Sequence, residues 1–259
     1  MNRPSRKVCF IVIICAVILL VAAEIIKPSL FDDTFLNTSF LVTITRLIGS
    51  VVFIFLILYL GFDVLNVKSD ISKDLIFIIP CLIVSVNNLP YISLVRGDAY
   101  VSGTAVQIIF FAVECICVAS FEELAFRGVL FPVILKKRRS VKGVFFSVIV
   151  SSIIFGLTHL VNLFYGASIG SVVMQIGYSA LVGCMCAFVL IKTHCIWICV
   201  LIHAVYNFCG QIVPRLGKGE MLNTLQIVIT VIISVACAIY IISSLLKTEN
   251  KYIDRIYIQ

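Results

Sequence analysis

Apolar residues in this chain gather into eight runs, roughly 8–26, 41–62, 75–94, 104–135, 143–163, 169–191, 195–213 and 224–246. Each approaches the ~20 apolar residues that a helix needs to cross a hydrocarbon core of about 30 Å. With no water in that core, backbone N–H and C=O groups must be satisfied inside the segment, so a run of this length is a helix. The pattern predicts an all-α fold: a polytopic integral membrane helix bundle of about eight transmembrane helices, read as one membrane domain over 1–259. The fourth run is too long for a simple crossing, so its ends should project or tilt. In the third, Asn87, Asn88 and Pro90 predict a bend whose freed backbone groups are satisfied within the bundle.

Composition agrees and excludes other classes. Hydrophobic residues make up 61% of the 259 and charged residues 13%, with a mean hydropathy of +1.16. Soluble domains carry about a quarter charged residues, and one of this size cannot hide so much apolar surface in a core. A disordered chain is excluded on the same ground. The formal charge of +7 reflects placement, not a nucleic-acid patch. On the N-terminal side of the bundle lie fourteen cations: Arg3, Arg6, Lys7, Lys68, Lys73, Lys136, Lys137, Arg138, Arg139, Lys142, Lys192, Lys247, Lys251 and Arg255. The opposite side holds five, Lys27, Arg46, Arg96, Arg215 and Lys218, and Arg127 falls within a span. Lys and Arg mark the cytoplasmic side, so both termini are expected in the cytoplasm and the protein in the cell membrane, with the lipid bilayer and not nucleic acid as its surroundings.

Arg3, Arg6 and Lys7 ahead of an apolar stretch ending in Val21-Ala22-Ala23 also suit a cleavable signal peptide. The run continues through Ile25 and Ile26, which favours a retained span. The eleven cysteines lie mostly within apolar runs and form no CxxC or Cys/His zinc spacing, so they read as small packing residues without a disulfide framework.

Ionisable residues deep in a bilayer cost about 2.5–3.5 kcal/mol each on insertion scales and mark functional sites by default. Away from their ends, the second, third, sixth and eighth runs hold none, and the first has only Glu24 near its outer end. The polar load falls on runs four, five and seven. Run four carries Phe121-Glu122-Glu123-Leu124-Ala125-Phe126-Arg127. Glu123 and Arg127, four apart, share a helix face and can pair, while Glu122 points about 100° away and is left available. Run five places Phe155 and His159 on one face, and run seven does the same for His203 and Asn207. His194, at a connection, is expected to be merely solvated. At 1.5 Å per residue, Glu122, His159 and Asn207 lie about 21, 24 and 18 Å from the cytoplasmic ends of their runs, and His203 about 12 Å. These helices can bring their polar groups to one chamber. Glu114, two turns outward from Glu122, can either line the outer part of the chamber or reach the interface, the second being the favoured expectation, and Gln175 and Tyr178 are candidates for facing inward.

EExxxR, FxxxH and HxxxN, in this order on successive polar-bearing spans, resemble the CAAX protease and bacteriocin-processing (CPBP) family of intramembrane proteases, which includes type II CAAX prenyl proteases and bacterial Abi proteins. The resemblance covers roughly 105–213, the expected catalytic core. It implies hydrolysis of a peptide bond in a membrane-associated protein or peptide. By motif position it implies Glu122 as catalytic glutamate, His159 as its partner on the attacking water, and His203 with Asn207 as the oxyanion site. Glu123, Arg127 and Phe155 take supporting positions.

The chemistry of the residues agrees with that assignment. Amide hydrolysis needs a base for water, which a buried Glu can be, and donors for the developing oxyanion, which an Asn amide and a His N–H supply. Ser120 has no base placed to activate it, and the HExxH zinc signature is absent. The expectation is a glutamate-type mechanism without a cofactor; were a divalent metal such as zinc used, Glu122, His159 and His203 would be its ligands. Two alternatives remain at this point: a non-catalytic membrane immunity or regulatory protein on the same scaffold, and a proton-coupled transporter. Against the latter, the chain has no inverted repeat of short broken helices.

Overall fold

The computed structural model describes residues 30–65, 71–136, 140–220, 223–247 and 256. The first apolar run and its cleavage question lie outside the described residues. The elements in chain order are α1 (Thr34–Leu60), α2 (Ile71–Asn87), α3 (Tyr91–Arg96), β1 (Ala99–Val101), α4 (Ala105–Lys136), α5 (Val141–Tyr165), α6 (Ile169–Thr193), α7 (Ile196–Leu216), β2 (Gly217–Gly219) and α8 (Thr224–Leu246). Six of the described helices, α1 and α4 to α8, are long and apolar enough to cross a membrane. The chain is therefore a polytopic helical membrane protein, although the count reached among the described residues is six and not eight.

The third apolar run accounts for part of that difference. It gives the 17-residue α2, a break at Asn88-Leu89-Pro90 and the six-residue α3. The backbone groups freed at the break find partners inside the bundle, as the Asn-Asn-Pro pattern implies. Gln226 Nε2 donates to Asn87 O at 3.0 Å and Leu89 O at 3.3 Å. Asn88 Nδ2 donates to Tyr206 O at 2.9 Å, tying the break to α7.

α4 is continuous but not uniform. A capping box of Thr104 and Gln107 starts it, satisfying orphan N–H groups at the helix start. Its α-helical part ends at Glu123, a π-helical stretch runs from Leu124 to Leu130, and α-helix resumes at Phe131. Nothing in the apolar pattern signals this widening. α5 likewise tightens into a 3-10 stretch over Thr158–Tyr165, so both helices depart from α geometry at the level of their polar motifs.

Hydrogen bonds define two faces. On one, Ile196 N and Trp197 Nε1 at the start of α7 donate to Val64 O and Leu65 O just past α1, at 3.0 and 2.9 Å. Lys192 Nζ in the last turn of α6 donates to Ser244 O of α8, and Tyr240 Oη of α8 to Ile76 O of α2. On the other face, Asp33 at the start of α1 accepts from Gln107 Nε2 of α4 at 2.6 Å, and β1 pairs antiparallel with β2, Tyr100 opposite Lys218. This strand pair is absent from the helical expectation; it is short, and Gly217 has no room for a Cβ against Tyr100 O.

The core is densest toward the first face, where every residue of α6 from Met185 to Ile191 is fully buried. The nine described cysteines are free thiols. His194, expected to be merely solvated, is the left-handed cap of α6 at φ 56°.

Candidate active site

Glu123 and Arg127 are both fully buried, and Arg127 Nη1 donates to Glu123 Oε1 at 3.2 Å. The same oxygen lies 2.8 Å from His203 Nδ1. A carboxylate already paired with a guanidinium is an acceptor, so Nδ1 carries the proton and donates. α4 and α7 are thereby joined through a charged triad in which a single oxygen serves two donors.

Phe155 of α5 packs between the polar groups. The Arg127 guanidinium sits 4.6 Å from its ring centroid, a cation–π contact. The rings of His159 and His203 each stand edge-on to it with centroids 5.7 Å away. One aromatic ring therefore sets the spacing of both histidines, which depends on Phe155 and His159 being four apart across the change from α to 3-10 geometry.

Glu122 points elsewhere, as its place beside Glu123 requires. Its side chain is 21% exposed, and its Oε2 lies 3.5 Å from His203 Nε2. That exceeds the 2.7–3.2 Å of a good N–H···O bond, so the two groups flank a space. Glu122, His159, His203 and Asn207 all line one cavity of about 310 Å³. α4, α5 and α7 thus bring together the four residues that the sequence singles out, with Glu123, Arg127 and Phe155 behind them. Ser120 is bonded back to its own helix, its Oγ donating to Ile116 O at 2.7 Å.

Glu114 requires a correction. It is not an interface residue: it is buried, lines the cavity, and receives two hydrogen bonds from Arg215, Nη1 to Oε1 and Nη2 to Oε2, each 3.1 Å. The cause is the length of α7, which runs through Pro214 to Leu216 and brings Arg215, itself still partly exposed, over the rings of Phe35 and Phe111 at 5.3 and 5.4 Å. Arg46, counted with the loop cations, is within α1 with its guanidinium 5.4 Å from the Phe121 centroid. Gln175 and Tyr178 do face inward and line the cavity, as do Tyr206, Gln211 and Asn88, which sequence reasoning left without a place there. A signal for Gln211 and Arg215 exists: with His203 and Asn207 they form a stripe at four-residue spacing along α7.

Among the described residues no three His, Cys, Asp or Glu side chains converge so as to hold a metal ion. His203, a ligand in the metal alternative, donates Nδ1–H to Glu123 and turns Nε2 toward Glu122.

Residues 104–209 match the model of the family described as type II CAAX prenyl endopeptidase Rce1-like, a family of membrane proteases. No curated protein and no solved structure matches the chain. The matched stretch begins at the cap of α4, ends within α7 and contains Glu122, His159, His203 and Asn207. Residues 104–209 of this chain are an Rce1-like segment, in agreement with the CAAX protease and bacteriocin-processing resemblance that its motifs carry.

Proposed function

We propose that this chain is an intramembrane endopeptidase, resident in the cell membrane with both termini cytoplasmic, that hydrolyses a peptide bond in a membrane-associated peptide or protein. The observation that carries the reading is the convergence of Glu122, His159, His203 and Asn207 on one cavity of about 310 Å³, inside a segment that matches a protease family.

In this reading a water held between Glu122 and His159 loses a proton to the Glu122 carboxylate as its oxygen attacks the scissile carbonyl carbon. The carbonyl oxygen becomes an oxyanion held by the Asn207 amide and His203 Nε2. Since Nδ1–H is donated to Glu123, Nε2 can donate only when the ring carries both protons. Glu122 then returns its proton to the departing amine as the C–N bond breaks, leaving a carboxylic acid and an amine. Glu123 and Arg127 act by orienting His203, and Phe155 by spacing the two histidines.

The test is mass spectrometry of membrane peptides from cells expressing the wild type or Glu122→Gln at equal levels. A cleavage product present only with the wild type supports the endopeptidase. Undiminished biological function with Glu122→Gln would instead favour the non-catalytic immunity or regulatory reading.

A further inference from the structure

The cavity occupies one half of the bundle. Its walls draw on Phe111 and Glu114 near the start of α4, Gln175 and Tyr178 in the first half of α6, and Gln211 and Arg215 near the end of α7. These helix ends meet the connecting residues 97–104, 166–168 and 217–220. In the other half the bundle is solid: Met185 to Ile191 of α6, Leu135 of α4 and Ile196 of α7 are fully buried.

The two faces differ in charge. Among the described residues, the helix ends and connections of the solid face carry five cations, Lys73, Lys136, Lys142, Lys192 and Lys247, and the sequence that joins those helix ends adds Lys68, Lys137, Arg138 and Arg139. The face toward which the cavity lies carries three, Arg96, Arg215 and Lys218, and Arg215 is paired with Glu114. An excess of Lys and Arg in short connections marks the cytoplasmic side. The cavity therefore lies toward the non-cytoplasmic side, with packed side chains between it and the cytoplasm. Its wall supplies neutral amides, Asn207 and Gln211, and a charge-compensated Glu114–Arg215 pair. Amides offer both donors and acceptors, as an extended peptide backbone does.

From this sidedness, and resting on the endopeptidase reading, we infer that the substrate is a peptide segment presented from the non-cytoplasmic face, an extracytoplasmic stretch of a secreted or membrane-anchored chain. A cytosolic C-terminus is not what this site receives.

Two measurements on the full-length protein test this. The first is independent of activity. Lys218→Cys and Lys142→Cys, each in an otherwise native chain and compared with wild type, are exposed in intact cells to a membrane-impermeant maleimide. Labelling above wild type for Lys218→Cys, and for Lys142→Cys only after permeabilisation, is the expected result; the reverse pattern overturns the inference. The second uses sealed right-side-out and inverted vesicles with a membrane-impermeant mixture of quenched fluorescent peptides. Cleavage confined to right-side-out vesicles is expected, and cleavage confined to inverted vesicles overturns the substrate assignment. Absence of cleavage from either face and in detergent removes the endopeptidase reading and the substrate assignment together, while the labelling still decides the face of the cavity.

Discussion

Glu123 Oε1 is shared by His203 Nδ1 at 2.8 Å and Arg127 Nη1 at 3.2 Å, so one buried oxygen fixes an imidazole of α7 to a guanidinium of α4. Two consequences follow from the arithmetic of buried charge. Removing one member of such a set leaves its partner charged and unsolvated, at a cost of about 3–5 kcal/mol, whereas replacing both with apolar groups is often neutral. The ring of His203, in turn, is held at Nδ1 by a carboxylate that is fully buried.

Stability and activity should therefore separate at this pair. Glu123→Ala is expected to lower the unfolding temperature of the detergent-solubilised protein strongly, since it strands Arg127. The double variant Glu123→Ala with Arg127→Met should recover most of that loss while remaining impaired in peptide cleavage, because Nδ1 of His203 has lost its acceptor. Recovery of both properties together would show that the triad is structural only.

Removing the proposed base should cost cleavage rate without cost in stability. General base catalysis contributes about 10²–10⁴-fold, so Glu122→Gln is expected to lower kcat by that order with an unchanged melting temperature, its side chain being partly exposed to the cavity. Asn207→Ala should cost roughly 10²–10³ in kcat, the usual loss for one oxyanion donor, with little change in KM.

A position outside every motif carries a third prediction. A Cβ on Gly183 of α6 would stand 2.5 Å from Arg127 Nη2 and 2.9 Å from Ser152 Cβ, whereas one on Gly177 of the same helix meets nothing within 4 Å. Gly183→Ala should displace the guanidinium and, through Glu123, the His203 ring, lowering kcat and the melting temperature. Gly177→Ala should be neutral, or slightly stabilising given the ~1 kcal/mol helix preference for Ala over Gly. Equal behaviour of the two variants would exclude a positioning role for Gly183.

Helix type, the polar chamber and its first residues were legible because a bilayer makes apolar length and buried charge unambiguous. Glu123 with Arg127, and Phe155 with His159, follow from four-residue spacing alone. Less was legible where polar groups are paired by tertiary contact. Arg215 reads as a loop cation until α7 is seen to continue past Pro214, and Glu114 reads as interfacial until that cation is placed beside it. The π-helical stretch from Leu124 leaves no mark on an apolar pattern, since it changes hydrogen-bond partners and not composition. Gln226 could be identified as the partner of the Asn87 and Leu89 carbonyls only after α8 was packed against α2.

The Glu114–Arg215 pair predicts an asymmetry in specificity. Arg215 is 35% exposed and Glu114 7%, so the two respond differently to the loss of a partner. Arg215→Gln leaves a buried carboxylate without its cation and should destabilise the protein. Glu114→Gln leaves a guanidinium that water can still reach, supported by Phe35 and Phe111, and should be tolerated. In that variant the freed cation lies on the cavity wall, where it can accept a carboxylate from the substrate. A partly solvated ion pair is worth about 1 kcal/mol at most, or roughly a fivefold change in rate ratio. Glu114→Gln should therefore shift kcat/KM toward peptides bearing Asp or Glu near the scissile bond by up to about that factor, measured against matched Asn and Gln peptides. An unchanged ratio would mean that bound substrate never reaches Arg215, confining the peptide to the inner part of the cavity beside Glu122 and His203.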